Sequence, residues 1–235
     1  MLKACPPISA ASALYGCKKA TFFIYLPAII LTVFFCFSSC MAQELRCVEK
    51  ISPYYKEGVF TDIEHVEKII AEHLANAPSD PEASYFMGVV CIQKSDYTSA
   101  LKYFDTAIAQ KGDYLKALVN RGDLYIFLKN VPAGLEDYDR AIALSPWDPA
   151  LLLRRANVLM NNERFSDAIT DYTTILKIFP DFAEVYNSRA LAFAALNQKD
   201  NMCSDFEKLC DLGFCMNLEK AIARKDCRSN LLPKE

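Results

Sequence analysis

The stretch Leu115–Asp148, LKALVNRGDLYIFLKNVPAGLEDYDRAIALSPWD, contains the pattern on which most of the chain is built. Two small residues stand 12 positions apart, and an aromatic and a third small residue follow at steps of 4 and 3: Gly122, Gly134, Tyr138 and Ala141. Side chains separated by steps of 3 and 4 lie on one face of a helix. Pro146 then ends the pattern, since proline does not continue a helix. The stretch therefore predicts two helices joined by a turn.

The same pattern recurs on both sides of this stretch, at a constant interval of 34 positions. The repeated positions are the small residues Gly88, Gly122, Ala156 and Ala190, then Ala100, Gly134, Ala168 and Met202, the aromatics Phe104, Tyr138, Tyr172 and Phe206, the residues Ala107, Ala141, Ile175 and Leu209, and the turn residues Pro78, Gly112, Pro146 and Pro180. They define four units, 81–114, 115–148, 149–182 and 183–216. One hairpin cannot bury both of its faces, so we expect the units to stack.

These repeated residues resemble the tetratricopeptide-repeat (TPR) family, whose units carry small residues at positions 8, 20 and 27, an aromatic at 24 and Pro at 32. The resemblance covers about 81–216, with departures at Gly112, at Ile175 and at the end of the fourth unit. It implies an all-α fold, a helix-turn-helix solenoid wound as a right-handed superhelix, whose first helices line a concave surface. It also implies that the partner is a protein or a peptide segment.

Both ends of the array need a cap, because an open array would expose apolar surface. In the range 43–80, Val66 and Ile70 stand where the second helix of a unit would have them, while Pro53 interrupts the region before it. We interpret this range as a degenerate N-terminal capping repeat. Residues 217–235 begin with NLEKAIARKDC, which predicts a C-terminal capping helix and a tail.

Residues 1–42 have the layout of a secretory signal. They contain no Asp or Glu, and the apolar run Thr21–Phe37 follows a pair of lysines. Positive residues before an apolar core are typical of export signals. Three outcomes stay open. Cleavage before Gln43 gives a soluble exported protein, lipidation of Cys40 at a sequence similar to a bacterial lipobox gives an anchored one, and an uncleaved segment stays in the membrane.

Composition and motifs exclude several functions. The 235 residues include 26 Lys and Arg against 29 Asp and Glu, a net charge of −3, which leaves no basic surface for nucleic acid. The two histidines, His65 and His73, lie on the predicted cap helix, where we expect no metal site. Phosphate-loop, hydrolase and metalloprotease motifs are absent, so we expect no cofactor and no enzyme activity. Membrane contact is expected only through an uncleaved or lipidated N-terminal segment.

The concave groove is the expected binding surface, since positions 2, 5, 9, 12 and 13 of the first helices line it in the TPR family. Those positions hold the residues Tyr85, Val89, Ile92, Val119, Ile126, Phe127, Leu153 and Met160, and the polar residues Lys116, Asp123, Asn157, Asn161 and Asn187. The lining is more apolar than a solvated helix face needs, which favours an extended or helical apolar segment as the ligand. Alternatively, these side chains pack against the adjacent first helix, or the N-terminal cap folds into the groove.

A polar pattern shares the period of the small and aromatic residues. Arginines on the first helices and aspartates on the second helices stand 16 positions apart, in the pairs Arg121 and Asp137, Arg155 and Asp171, and Arg189 and Asp205. The equal numbers of Arg and Asp favour a ladder of structural ion pairs. The alternative is an anion site formed by the three arginines.

The cysteines after residue 42 are Cys47, Cys91, Cys203, Cys210, Cys215 and Cys227, four of them close to the C-terminus. In an exported protein this cluster predicts disulfides. Cys203 and Cys210 are about 10.5 Å apart along one helix, too far to join. The nested pairs Cys203–Cys227 and Cys210–Cys215 are both centred on the turn near Gly213 and fit best. The pairing of Cys203 with Cys215 and Cys210 with Cys227, or four reduced thiols, are the alternatives.

Together these features predict a non-catalytic scaffold that mediates protein–protein interaction in the bacterial cell envelope through its concave groove. The expected location is the periplasm or the periphery of the outer membrane. Two other functions stay open. One is an accessory subunit that positions an envelope enzyme or carrier, and the other is a self-assembling structural protein.

Overall fold

Ten complete α-helices follow one another through the residues that the computed structural model describes, which are 49–56 and 59–228. They are α1 Ile63–Asn76, α2 Pro81–Gln93, α3 Tyr97–Gln110, α4 Leu115–Phe127, α5 Val131–Leu144, α6 Pro149–Asn161, α7 Phe165–Ile178, α8 Ala183–Ala195, α9 Lys199–Asp211 and α10 Met216–Ala223. Helices α2, α4, α6 and α8 begin at the constant interval of the sequence repeat, and each packs against the helix that follows it. This is the all-α helix-turn-helix solenoid that the repeat predicts.

A short irregular segment precedes α1. A 3-10 turn spans Ser52–Tyr54, and the strands β1 (Tyr55–Lys56) and β2 (Val59–Phe60) pair antiparallel. The side chain of Gln93, at the end of α2, accepts a hydrogen bond from the Phe60 N–H at 2.8 Å and donates one to the Phe60 carbonyl at 3.0 Å. These bonds satisfy backbone groups that a third strand would otherwise pair, so the strands end as an isolated short ladder.

The first helices of the units begin in two different ways. Asp80 and Asp148 cap α2 and α6 through their carboxylates, and a proline follows each of them at the first helical position. Helices α4 and α8 instead follow the aromatic residues Tyr114 and Phe182, without a side-chain cap. The helix starts therefore alternate between successive units, a feature that the period of the repeat alone does not predict.

Within each hairpin the chain turns through one residue in the left-handed backbone region. These residues follow the same period, with φ of 61°, 65°, 59° and 56°: Ser95, Lys129, Glu163 and Asn197. The following N–H reaches the carbonyl five residues back, as from Asp96 to Cys91 at 2.9 Å, which closes the helix end. None of the four is glycine, although glycine adopts this conformation most readily. The helix-ending hydrogen bonds and the packing of the hairpin therefore hold the turn.

The small residue and the aromatic residue meet inside the first two hairpins, as the pattern predicts. A Cβ atom added at Gly88 would lie 2.6 Å from the Phe104 ring, and one at Gly134 would lie 2.5 Å from the Ile126 side chain. Phe104, Tyr138, Tyr172 and Phe206 are all buried. Glycine or alanine at these positions lets the two helices approach closely enough for the ring to fill the space between hairpins.

Candidate functional site

The first helices of successive units lie side by side, which brings the predicted groove residues together on one surface. The Asn120 amide donates a hydrogen bond from α4 to the Tyr85 hydroxyl on α2, at 2.8 Å. The Arg154 guanidinium likewise donates from α6 to the Asp123 carboxylate on α4, at 2.8 Å. Helix α10 continues the row, because the Asn217 amide donates to the Asn187 carbonyl oxygen on α8 at 2.6 Å.

The N-terminal end of this surface is closed. Tyr85 and Val89 are only 5% and 7% exposed. The Tyr85 ring packs against Phe86, and the Phe86 ring packs edge-on against Tyr55 and Phe60 of the N-terminal ladder. Tyr85 and Val89 are therefore core residues in this structure and do not face a partner. Both alternatives for the groove residues apply at this end: the N-terminal ladder packs on Phe86 beside Tyr85, and the Tyr85 hydroxyl accepts a hydrogen bond from Asn120 of the adjacent first helix.

The middle of the surface is open to solvent. Lys116, Asn157 and Asn161 are exposed, and the Phe127 side chain is 61% exposed beside the Tyr97 ring. The remaining apolar candidates are partly buried: Ile92, Val119, Ile126, Leu153 and Met160. We define the open groove as the surface of α4 and α6 around Lys116, Phe127 and Asn157.

Two polar residues of the open groove have partners within the chain. The Tyr138 hydroxyl donates to the Asp123 carboxylate, and the Tyr172 hydroxyl donates to the Asn157 carbonyl oxygen at 3.0 Å. Burial raises the pKa of Tyr138, and the hydrogen bond with Asp123 raises it further, so the hydroxyl remains a neutral donor. The choice between Tyr and Phe at the aromatic position of each unit is a sequence signal for these bonds. Tyr stands at the aromatic position where the residue 15 places earlier is polar, and Phe stands there where that residue is Val89 or Leu191.

The Arg–Asp pattern is a ladder of structural ion pairs, as the equal numbers of Arg and Asp favour. Each arginine forms two hydrogen bonds with the aspartate of its own hairpin, at 2.8 and 2.6 Å from Arg121 to Asp137. Arg155 with Asp171 and Arg189 with Asp205 repeat this geometry. The three carboxylates are buried, at 2–4% exposure. A buried carboxylate needs such a partner, and a guanidinium engaged in this way is not available for another anion.

Each arginine also reaches the second helix of the preceding unit, a contact that the sequence analysis missed. Arg121 and Arg155 contact Asp105 and Asp139 at 2.6 Å, and Arg189 contacts the Thr173 hydroxyl at 3.0 Å. These acceptors stand 16 positions before their arginines, and the aspartate of the same hairpin stands 16 positions after. The sequence therefore contains a signal for both contacts. One guanidinium therefore joins three helices. Hydrogen bonds with Asp137 and Asp171 raise the pKa of Arg121 and of Arg155 further above its usual range.

The C-terminal cysteines meet in the nested arrangement. The Cα atoms of Cys203 and Cys227 are 5.6 Å apart, and those of Cys210 and Cys215 are 4.0 Å apart. The outer pair joins α9 to the chain that follows α10, and the inner pair spans the turn between these helices. Cys91 is buried in the first hairpin without a partner cysteine among the described residues. Cys40, Cys47 and the predicted export segment 1–42 lie outside the residues that the structure describes.

The two histidines have separate surroundings. The His73 Nε2 atom lies 2.7 Å from the Asp80 carboxylate, and the His65 ring packs edge-on against Tyr54. Within residues 49–56 and 59–228, no three His, Cys, Asp or Glu side chains gather closely enough to hold a metal ion. No helix in these ranges has both the length and the apolar character that crossing a membrane requires.

Solved structures with the same arrangement of helices include the MamA protein, which superposes with a TM-score of 0.62 over 79% of this chain and 96% of MamA at 17% identity. A tetratricopeptide-repeat protein from Parabacteroides merdae gives a TM-score of 0.60 at 18% identity, over 79% and 77% of the two chains. YrrB, described as a TPR protein with an unusual peptide-binding site, gives 0.58 at 18% identity, over 70% and 84%. At these identities the likeness concerns the fold alone.

Relatives by sequence are larger proteins. The DnaJ homolog subfamily C member 7 homolog of Dictyostelium discoideum is 24% identical over 145 residues, and human tetratricopeptide repeat protein 13 is 26% identical over 128 residues. The matches cover 55% and 52% of this chain but only 27% and 15% of those relatives. The family model for the tetratricopeptide repeat matches residues 64–114, 92–149 and 153–201. Because this model covers more than half of the chain, the protein belongs to the tetratricopeptide-repeat family.

Proposed function

We propose that this protein is an exported, non-catalytic scaffold that binds a protein or peptide segment through the open groove of α4 and α6. The family supports the general function, because TPR folds serve protein–protein interaction. The choice of this surface rests on a difference in side-chain exposure along the row of first helices. Its N-terminal end is closed over Tyr85 and Val89, while Lys116, Phe127 and Asn157 stay exposed.

The open groove suits a peptide with both apolar and polar groups. Phe127 offers an exposed ring, and Lys116 offers a cation that makes no ion pair within the described residues. Asn157 accepts one internal hydrogen bond from Tyr172, which leaves its amide N–H groups for a ligand. The peptide-binding site named for YrrB supports a peptide as the ligand class here.

A matched pair of charge reversals tests the groove. Lys116→Glu changes the groove, whereas Lys102→Glu changes an equally exposed lysine on α3, a second helix. With the partner recovered from envelope extracts as readout, Lys116→Glu and Phe127→Asp should each reduce recovery at least tenfold, and Lys102→Glu should leave it unchanged. Equal recovery by all three variants would refute groove binding. It would favour a protein that assembles through its ends.

The proposed location is the periplasm or the periphery of the outer membrane, with both cysteine pairs oxidised to disulfides. The sequence layout of residues 1–42 and the approach of the four cysteines support this. Sequencing the N-terminus of the protein isolated from cells distinguishes the routes. A start at Gln43 means soluble export, and a lipid-blocked Cys40 means an anchor. Intact Met1 on protein recovered from the cytoplasm would contradict export.

A further inference from the structure

Exposed aromatic side chains collect along one edge of the solenoid, where turns connect each unit to the next. Trp147, Phe179 and Phe214 lie in three successive connecting turns and are 69%, 47% and 59% exposed. The connecting turn after the first unit instead presents the polar sequence Gln-Lys-Gly-Asp. Exposed apolar side chains that gather on one edge indicate a candidate interaction surface.

Two clefts follow this edge and meet at Phe182. The first, about 480 Å³, lies between Pro149 and the turn Ile178–Phe182. The second, about 860 Å³, lies between the start of α8 and the turn from α9 to α10, with Leu209 and Phe214 in its wall. We call the two clefts together the edge trough. It runs along the third and fourth units and reaches Asn187 on α8, one of the predicted groove residues.

The charged side chains that line the edge trough are all acidic. Asp181, Glu184 and Glu219 line it, and no Lys or Arg is among its described lining residues. An apolar surface with carboxylates at its rim complements a segment that carries Lys or Arg beside an apolar face. The same carboxylates oppose binding to an anionic lipid surface.

We propose that the edge trough binds an amphipathic helix of a partner protein, with apolar residues on one face and Lys or Arg beside them. Neighbouring helices pack about 10 Å apart, and a helix rises about 1.5 Å per residue, so side chains that enter the two clefts stand about seven residues apart. Residues with that separation share one helix face. A helix of about 14 residues spans the trough. This site is independent of the open groove.

Trp147 provides the readout, because it is the only tryptophan of the chain and lies on this edge. The protein as isolated from cells is titrated with a synthetic helical peptide of about 14 Leu and Lys residues, and with a matched peptide that has Glu in place of Lys. The Leu/Lys peptide should shift the Trp147 emission to the blue and bind at least tenfold more tightly than the Leu/Glu peptide, with affinity that falls as salt rises.

Variants locate the binding. Phe179→Ser with Phe214→Ser, or Asp181→Lys alone, should weaken the Leu/Lys peptide at least tenfold. Leu128→Ser and Glu163→Lys, exposed on the opposite edge, are the matched controls and should leave it unchanged.

Equal binding of both peptides would overturn the proposal. So would a blue shift with phosphatidylcholine vesicles but not with the peptide, or one that grows with protein concentration alone, which indicates a second copy as the occupant. Phe127→Asp distinguishes this site from the open groove. The substitution should weaken binding in the open groove and leave binding in the edge trough unchanged.

Discussion

The two ends of the solenoid are closed by different means. At the N-terminal end, Tyr55 and Phe60 add aromatic rings to Tyr85 and Phe86 of α2, and the cluster is buried with Ile51. At the C-terminal end, α10 has only 8 residues and buries only Leu218 and Ala221. Phe206 and Met202 fill the rest of that end together with three of the four paired cysteines.

The difference shows that an array end needs either enough apolar surface or a cross-link. A helix as short as α10 is marginal by itself, because so few hydrogen bonds do not offset the ordering of its backbone. The N-terminal ladder is shorter still, yet Phe60 is only 3% exposed and Gln93 holds its backbone. The aromatic end therefore depends on packing, whereas the C-terminal end depends on cysteine chemistry. Each dependence can be tested alone, since repeats contact only their neighbours.

The largest effect is expected at the aromatic end. Phe60→Ala removes a buried ring and should lower the local free energy of unfolding by about 4 kcal/mol. Amide hydrogen exchange in α1 and α2 should accelerate at least a hundredfold while α9 and α10 keep their rates. Val59→Ala, which changes an exposed residue of the same strand, is the control. Equal acceleration at both ends would show that the ends are coupled.

The second effect belongs to the cysteine end. Cys227→Ala opens a loop with a sequence separation of 24, so in the oxidised protein it should cost about 3 kcal/mol in unfolding free energy. Cys215→Ala opens a separation of 5 and should cost about 2 kcal/mol. Urea titrations with and without reductant measure the part that depends on oxidation. The idea of a covalent closure fails if reductant makes no difference to the native chain.

A third effect is a pH dependence to which Tyr85, at the aromatic end, contributes. Burial raises the pKa of Tyr85 from 10.0 to about 12. The folded state thus favours the neutral phenol, and the associated stability is complete below pH 10 and declines as pH rises through 12. By pH 12 the loss amounts to about 2 kcal/mol. Urea titrations at pH 9 and pH 12 should show a smaller loss in Tyr85→Phe than in the unchanged chain, in which the buried hydroxyls of Tyr114 and Tyr138 lose stability over the same range. A loss of the same size in Tyr85→Phe would assign the effect to other groups.

Much of the architecture follows from the spacing of the repeated residues along the sequence. The residues Gly88 and Phe104 meet in one hairpin, and Gly122 and Tyr138 meet in the next at the same separation, so the period of the repeat is enough to predict both contacts. The Arg121–Asp137 pair follows for the same reason. The burial of Tyr85 could not be predicted, because its ring packs against Phe104 and Tyr114, and Tyr114 stands in a turn outside the repeated small and aromatic positions.

By itself, the sequence determined the hairpin, its period and the residues that join its two helices, because these contacts are local and recur at fixed separations. Only the tertiary structure decided which parts of the repeated surface stay open. Tyr85 is buried beside Phe104 and Tyr114, whereas Lys116, on the neighbouring first helix, stays exposed. The edge trough likewise arises only where turns from successive units stand side by side. Exposure depends on what packs over a residue, and that neighbour is set by the chain path rather than by the residue's own period.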